Sequence, residues 1–287
     1  MRYAGGMNIA VPDLKSQLLA RLRPFFTRNV SPGEHRHACQ MFSYCALERE
    51  RIASVVLEMP VIGIVLRGQK EVWRGDAAQI LRPGTVFVFP RGVPLDVVNV
   101  PDAVTGIYES LLLTVDKRPA GLAPLKAPRR PQGFAVTLTP DLAEAVCHAA
   151  TTIADPAHGE ALCELRFAEL LTLLASDPAG RLALTGDLSE RAEWVISQSP
   201  AHGWSVGELA RELGVGASTL RRRLDEAGQP FRQLLAGVRM QAAREALRNG
   251  ASMSEAAVAA GYASRSHFYR AYRAHHGHAP RRDQQAA

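Results

Sequence analysis

A helical pattern that occurs twice in the last hundred residues constrains the fold of this sequence most strongly. In the first copy, Ser205 and Glu208 have the spacing of an N-terminal capping box. The apolar residues that follow recur at i, i+3, i+4 and i+7, which predicts one buried helix face. Gly214 then suits the left-handed residue that ends a helix. A second helix is predicted from about Ala217, and its outer side carries Ser218, Arg221, Arg222 and Arg223. A helix, a tight glycine turn and a helix with a basic outer face are typical of a helix-turn-helix unit.

The second copy repeats these features in the same order. Ser252 and Glu255 form another capping-box pair, and Gly261 lies 47 residues after Gly214. Ser264 is placed to cap the next helix. We expect the inner side of that helix to carry Phe268 and Tyr272, and its outer side to carry Arg265, Ser266, His267, Tyr269 and Arg270.

The segment between the two copies is predicted to be one helix. Apolar residues recur at helical spacing along it, at Phe231, Leu234, Leu235, Val238 and Ala242. A single connecting helix can fix the distance between the two units. If their second helices lie about 34 Å apart, one chain can reach two successive major-groove segments of B-DNA.

Positive charge is concentrated in the same part of the chain. Residues 189–287 contain 14 Arg, no Lys and 9 acidic residues, so they account for +5 of the formal net charge of +6. This asymmetry favours a polyanionic partner for the C-terminal part. Arginine also binds phosphate and guanine in a bidentate manner, although a GC-rich genome would equally explain the use of Arg over Lys.

The C-terminal 95 or so residues resemble the DNA-binding domain of the AraC/XylS family. Three segments carry the resemblance: WSVGELARELGVGASTLRRRL, PFRQLLAGVRMQAAREAL and AAGYASRSHFYRAYRAHHGHAP. The last one, with its GY-x-S-x-S-HF-x-R core, is highly specific. The departures are mild: Tyr272 stands where the family usually has Phe, and Ala257 and Val258 replace an Ile-Ala pair.

The resemblance implies that this chain is a sequence-specific transcription regulator, an activator rather than a repressor, that binds double-stranded DNA. In the family, bases are contacted from the outer sides of both second helices. Carried over position by position, the implied contact residues are Ser218, Arg221, Arg222, Arg265, Ser266, His267, Tyr269 and Arg270. The alternative is that these residues are only a solvated helix face. Arg223 and Arg239 are expected to contact phosphate or neighbouring helices.

The N-terminal part is predicted to be rich in β-structure. From about residue 38 to 116, short apolar or alternating runs are separated by Gly- and Pro-containing turns. Short, evenly spaced strands favour an antiparallel barrel or sandwich over a βαβ sheet. The predicted fold is therefore a two-domain α+β chain, with an N-terminal antiparallel β-barrel and following helices, and an all-α C-terminal domain. The predicted boundaries are 1–176 for the sensing and dimerisation domain, 177–188 for a linker and 189–287 for the DNA-binding domain.

The β-rich segment resembles the cupin-like sensing domain of AraC-type regulators, with LRPGTVFVFPRGVP as its most suggestive piece. The resemblance implies a small-molecule effector inside the barrel, of unstated identity. The residues expected to line the interior are Val56, Ile62, Ile64, Trp73, Phe87 and Phe89. An ordinary filled core would use the same residues.

Metal chemistry and catalysis are not expected. No His occurs between Ala38 and Cys147, so the metal-binding set of a catalytic cupin is incomplete. His35, His37 and Cys39 alternate, and in an extended chain they would point the same way, which leaves a metal-dependent enzyme or a metal or redox sensor as the alternative hypothesis. The four cysteines form no CxxC pair and are predicted to be reduced thiols. We therefore predict no enzymatic activity and no cofactor.

Helices are predicted between Thr139 and Ala175, with Pro140 at a helix start. Their Leu-rich stripe predicts a homodimer interface, or alternatively closes the barrel. An activator would also contact RNA polymerase. No apolar run reaches the roughly 18 residues of a spanning helix, and no signal peptide is seen, so we expect a cytoplasmic protein without a membrane partner.

Overall fold

The computed structural model describes residues 13–27, 31–74, 77–116, 118–119, 121–126 and 133–285. The chain divides into two compact units, Met1–Thr185 and Gly186–Ala287. The first unit holds the sheets, and its core contains residues of both the strands and the flanking helices, whereas the second unit consists of helices. The predicted two-domain α+β organisation is confirmed. Among the described helices, none combines the length and the apolar character that crossing a bilayer requires.

Nine strands form two antiparallel sheets in the first unit. One sheet has the order β1-β2-β9-β4-β7 and the other the order β3-β8-β5-β6. The strands are Gly33–Ala38 (β1), Met41–Ala46 (β2), Glu50–Val55 (β3), Val61–Arg67 (β4), Gln69–Arg74 (β5), Ala77–Leu81 (β6), Val86–Phe89 (β7), Leu95–Val100 (β8) and Tyr108–Thr114 (β9). Two further short strands, Leu125–Lys126 (β10) and Thr185–Gly186 (β11), pair where the first unit ends. Within the described residues neither sheet closes on itself, so the closed barrel that we predicted is not observed.

The five-stranded sheet is covered on both of its faces. The face that carries Ser43 and Glu109 is covered by the chain before β1, since Ser43 donates a hydrogen bond to the carbonyl of Phe25 and Glu109 accepts one from the backbone of Thr27. The opposite face carries Tyr44, which reaches Glu50 of the four-stranded sheet. Residues 61–66 of β4 are accordingly all buried.

Helices flank the sheets of the first unit. They are Leu14–Arg21 (α1), Pro140–Ala154 (α2) and Glu160–Leu174 (α3). The side chain of Asp13 caps α1, and that of Thr139 caps α2, whose first residue is Pro140. Proline fits there because the first helical N–H has no partner within the helix. The helices predicted between residues 139 and 175 are thus present.

The segment 177–188, predicted as a linker, contains the boundary between the units. Residues 180–184 form a 3-10 helix, and its Leu182 and Leu184 are buried in the core of the first unit. Asp187 already caps the first helix of the second unit. The linker bounds 177–188 stay a prediction.

The second unit has seven helices among its described residues. They are Leu188–Ser197 (α4), Val206–Glu212 (α5), Ala217–Glu226 (α6), Phe231–Arg248 (α7), Met253–Ala259 (α8), Arg265–His276 (α9) and Arg281–Gln284 (α10). They enclose two separate apolar clusters. The first joins α4, α5 and α6 to the first half of α7, through residues such as Leu209, Leu224 and Leu234. The second joins α8 and α9 to the second half of α7, through residues such as Leu247 and Phe268.

Candidate nucleic-acid interface

Each pair α5–α6 and α8–α9 is set up by a capped first helix. The Ser205 hydroxyl accepts a hydrogen bond from the backbone N–H of Glu208 at 3.2 Å, and the Glu208 carboxylate accepts one from the N–H of Ser205 at 2.9 Å. Ser252 and Glu255 repeat this arrangement at 3.3 and 2.7 Å. Both predicted capping boxes are present. The hydrogen bonds from Ser205 keep the pKa of Glu208 below its usual value, so the first cap persists into mildly acidic solution.

The turns between the helices require glycine. Gly214 and Gly261 have φ angles of +64° and +75°, a region that residues with a Cβ rarely adopt. At Gly261 there is a second reason: a Cβ would lie 2.9 Å from the Cα of Ala201, nearer than such atoms can approach. The two glycines therefore fix the entry of the chain into α6 and α9. Ser264 then caps α9 by accepting a hydrogen bond from the N–H of His267.

The outer sides of α6 and α9 are free for a partner. Leu220 and Leu224 of α6 and Phe268 and Tyr272 of α9 are buried, so these helices pack by one face only. The opposite faces carry all eight residues that the sequence nominated, and every one of them is exposed: Ser218, Arg221, Arg222, Arg265, Ser266, His267, Tyr269 and Arg270.

The arginines on these faces differ in their present contacts. Arg222 donates a hydrogen bond to Glu226 one turn later on α6, at 2.6 Å. Within the part of the chain that the structure describes, Arg221, Arg265 and Arg270 make no ion pair. Arg239 was predicted to contact either phosphate or neighbouring helices. It donates hydrogen bonds to the carbonyls of Pro200 and His202, both at 2.9 Å. It therefore ties α7 to the loop between α4 and α5.

The interior of the first unit differs from the predicted one. Phe87 and Phe89 do face the second sheet, and the Phe87 ring lies against Gly63, where a Cβ would come within 2.1 Å of it. Ile62 and Ile64 alternate with Gly63 and so lie on the opposite face of the same sheet. These four residues are buried but cannot line one cavity.

Two other predicted lining residues are misplaced. Val56 is 53% exposed, because the pairing of β3 shifts between Ile52 and Val55 and Ser54 adopts a positive φ of 52°. Such an irregularity breaks the inward–outward alternation of a strand. Trp73 lies on the same side of β5 as Glu71, to which its indole N–H donates at 3.0 Å, and thus opposite the buried Val72. Both expectations were wrong.

The candidate metal ligands do not assemble. His35 and His37 share one side of β1, but the His37 ring is hydrogen-bonded to Ser43 at 2.7 Å, and Cys39 lies in the turn after the strand. Over the described ranges, no three His, Cys, Asp or Glu side chains converge as a metal site would need.

Sequence reasoning missed a group of polar residues between the sheets. Glu50, Lys70 and Asn99 lie side by side on β3, β5 and β8, and Asn99 is fully buried. The signal was weak, since in the run QKEVW either Lys70 and Val72 or Glu71 and Trp73 could face inward. Apolar content alone favoured the face with tryptophan.

Comparison with known proteins agrees with this geometry. Residues 209–286 match a family model described as a helix-turn-helix domain. The chain is 32% identical over 112 residues to the HTH-type transcriptional regulator YdeO of Escherichia coli (strain K12), covering 39% of this chain and 42% of YdeO. It is 35% identical over 98 residues to the HTH-type transcriptional regulator GadX of Escherichia coli O6:H1, covering 34% of this chain and 36% of GadX.

Among solved structures, a DNA-binding transcriptional dual regulator from Escherichia coli K-12 is 34% identical, with a TM-score of 0.34. That match covers 36% of this chain and 94% of the solved chain. The chain thus aligns with about two fifths of the length of the curated relatives that it matches. The second unit is a double helix-turn-helix domain. The match of residues 209–286 supports its resemblance to the AraC/XylS family.

Proposed function

We propose that this protein is a sequence-specific, DNA-binding transcription regulator that reads two successive major-groove segments with α6 and α9. The observation that carries the proposal is the pair of capped helix-turn-helix units on one shared helix, each with an exposed, arginine-bearing second helix. A recognition helix of this kind fits the major groove of B-DNA. The regulators YdeO and GadX, which match the same part of the chain, support a regulatory role rather than an enzymatic one.

Base recognition is assigned to the eight exposed residues of α6 and α9. Arg221 and Arg270 are the strongest candidates because they are exposed, and a guanidinium can bind O6 and N7 of guanine together. Each such contact discriminates against a wrong base by about 1–3 kcal/mol. Ser218, Arg222, Arg265, Ser266, His267 and Tyr269 complete the proposed contact set.

Quantitative binding to double-stranded DNA tests this function. We expect the logarithm of the affinity to fall steeply with the logarithm of the salt concentration, as it does when arginines displace counterions from phosphate. Arg221→Ala and Arg270→Ala should each relax the base preference at one position of the selected site by about tenfold or more. Arg51→Ala, which removes an exposed arginine of the first unit, is the matched control and should change neither property. Wild-type specificity in both recognition-helix variants would refute the proposed contacts.

For the first unit we propose an effector-sensing role, with residues 1–176 as the sensing domain and 189–287 as the DNA-binding domain. Two facing antiparallel sheets are compatible with a cupin-like, double-sheet arrangement. We propose further that the regulator is a cytoplasmic activator that contacts RNA polymerase. Leu162 and Leu165 of α3 are 38% and 68% exposed, which supports a homodimer formed through this helix. Sedimentation that detects only monomer at micromolar concentration would exclude the dimer.

A further inference from the structure

A cavity of about 490 Å³ lies at the end of the first unit. Its walls come from β10, from the segment after α3 and from residues between 181 and 185. Sites for small molecules have volumes of about 300–1,000 Å³, so the cavity is large enough for a metabolite. None of its described lining residues belongs to the two large sheets, and the segment 177–188, predicted as a linker, supplies more than half of them.

The walls of this cavity are held by contacts within the chain. The Asp177 carboxylate accepts hydrogen bonds from the backbone N–H groups of Ala179 and Gly180, at 2.8 and 3.0 Å. The Thr185 hydroxyl donates to the carbonyl of Leu182 at 2.8 Å, and both residues are buried. Strands β10 and β11 pair beside them. The cavity therefore has its shape before any ligand binds.

The cavity is lined by positive charge without a matching negative charge. Among the residues that the structure describes, Lys126 and Arg181 line it, and no carboxylate does. Both side chains are exposed, as is the Ser176 hydroxyl, and none of the three makes a side-chain hydrogen bond or an ion pair with another described residue. Asp177, next to Ser176 in the chain, is bound by backbone N–H groups instead. A third guanidinium is close, since Arg118 donates to the carbonyl of residue 185 at 3.4 Å.

These groups suit one class of ligand. Lys126 and Arg181 can only donate hydrogen bonds, and a serine hydroxyl can donate one more. A phosphate monoester carries almost two negative charges at neutral pH and presents three acceptor oxygens, so it matches two cations and a hydroxyl. A guanidinium also binds phosphate in a bidentate manner. The remaining lining includes Leu125, Pro178 and Leu182, which offer apolar surface to the organic part of such an ester.

We propose that Lys126, Arg181 and Ser176 bind the phosphate group of a small phosphate monoester, whose organic part lies in the same cavity. This inference goes beyond the proposed function, because it concerns a separate site at the end of the first unit and does not depend on DNA binding. It also gives the segment predicted as a linker a part in a ligand site.

The test measures ligand binding by the full-length protein without DNA, in a buffer free of phosphate. Thermal unfolding is recorded with millimolar sugar phosphates and nucleoside monophosphates, each compared with its unphosphorylated counterpart and with inorganic phosphate. We expect at least one ester to raise the unfolding midpoint of the first unit by about 3 °C or more, and its counterpart to leave the midpoint unchanged. Isothermal titration then gives the affinity of that ester. The affinity should fall several-fold from about pH 7.5 to about pH 5.5, because the ester loses its second negative charge near pH 6.

Three variants examine the proposed contacts. Arg181→Gln and Lys126→Gln each remove one charge and keep a polar side chain, so each should weaken binding of the ester by about tenfold. Ser176→Ala deletes one hydroxyl and should weaken it by about threefold to fivefold. All three side chains are exposed, so the variants should fold as the wild type does. Arg51→Gln, at an exposed arginine of β3, is the matched control and should bind the ester like the wild type.

The outcomes separate this site from the DNA-binding face. The inference is refuted if no ester shifts the midpoint, if the unphosphorylated counterpart or inorganic phosphate binds as tightly as the ester, or if Arg181→Gln and Lys126→Gln bind like the wild type. It is also refuted if Arg221→Ala abolishes binding, since the ester would then occupy α6. A protein that binds the ester through Arg181 but shows no specific DNA binding supports the site and refutes the proposed regulatory function.

Discussion

At the scale of single residues, Asp283 organises the end of the second unit. Its buried carboxylate accepts hydrogen bonds from Tyr272 at 2.6 Å and His278 at 2.7 Å, and from Arg244 and Arg248 at 3.1 and 3.3 Å. It thereby ties α10 to α7 and α9. This contact explains a departure from the family, since Tyr272 stands where phenylalanine is usual and its hydroxyl is the group that reaches Asp283.

Replacing that tyrosine should destabilise the second unit. Tyr272→Phe deletes a hydrogen bond to a buried carboxylate, and such a bond is worth about 1.5–3 kcal/mol. Tyr269→Phe is the matched control, because Tyr269 lies on the exposed side of the same helix, and it should cost less than about 0.5 kcal/mol. Urea unfolding of both variants measures the two free energies of unfolding. If both variants lost the same free energy of unfolding, the hydrogen bond from Tyr272 to Asp283 would not contribute to stability.

The same carboxylate gives the second unit a defined response to acid. Burial opposes the ionisation of Asp283, but hydrogen bonds from Tyr272, His278 and Arg244 outweigh it and hold the pKa of Asp283 far below its usual value. The native state therefore binds fewer protons than the unfolded state. The stabilisation is complete above the unfolded pKa of about 4 and is lost as the pH falls towards the native pKa. In Asp283→Asn, unfolding of this unit should depend less on pH below about 4, as measured by circular dichroism.

Lys70 predicts the opposite response in the first unit. Because burial lowers its pKa to about 8, the unfolded state binds more protons between about pH 8 and pH 10. Glu50, Tyr44 and Tyr108 face it, and burial raises the pKa of both tyrosines, so the tyrosines stay protonated over most of this range. The wild type should gain about 2 kcal/mol of stability between about pH 7.5 and pH 9.5 relative to Lys70→Met. Parallel urea titrations at both pH values measure this difference, and identical pH profiles would contradict it.

At the scale of elements, we expect an acidic residue of α6 to lower the affinity of this helix for DNA. Glu226 holds Arg222 through an exposed ion pair and adds negative charge next to the proposed recognition face. An exposed ion pair of this type stabilises a helix by only about 0.3–0.5 kcal/mol, so releasing Arg222 costs little. The Glu226 carboxylate also repels DNA phosphate, which lowers the affinity further. Glu226→Gln should therefore raise the affinity for DNA by about twofold to fivefold at low salt. Glu212→Gln, at the exposed end of α5, removes the same charge away from that face and should have a smaller effect in the same electrophoretic assay.

The elements also show which features could be read from the sequence. The capping boxes at Ser205 and Ser252 and the turns at Gly214 and Gly261 were predictable because they depend on local backbone geometry. The sequence did not predict which face of an inner strand each side chain occupies. Every residue from 61 to 66 of β4 is buried, so its sequence contains no alternation from which the face of Ile62 could be assigned.

At the scale of the whole molecule, α7 joins the two helix-turn-helix units of the second unit. Val238 in its first half belongs to one apolar cluster, and Leu247 in its second half belongs to the other. The helix has 18 residues and so is about 27 Å long. The repeat of the motif after 47 residues was visible in the sequence, but the separation into two cores was not, because it depends on which helices pack against each half of α7.

This shared helix leads to a prediction about the spacing of the DNA site. Because α7 is continuous, α6 and α9 are held at a fixed distance and cannot follow two half-sites that move apart. Inserting about 5 base pairs between the half-sites rotates one of them by half a turn and should reduce the affinity to that of one helix-turn-helix unit alone. Inserting about 10 base pairs restores the rotation but not the distance, so it should be equally damaging. An insertion of equal length outside the site is the control, and gel-shift titrations measure all four probes. Full affinity with the 10-base-pair insertion would show that the two units are connected flexibly, since only a tether that lengthens could then reach the second half-site.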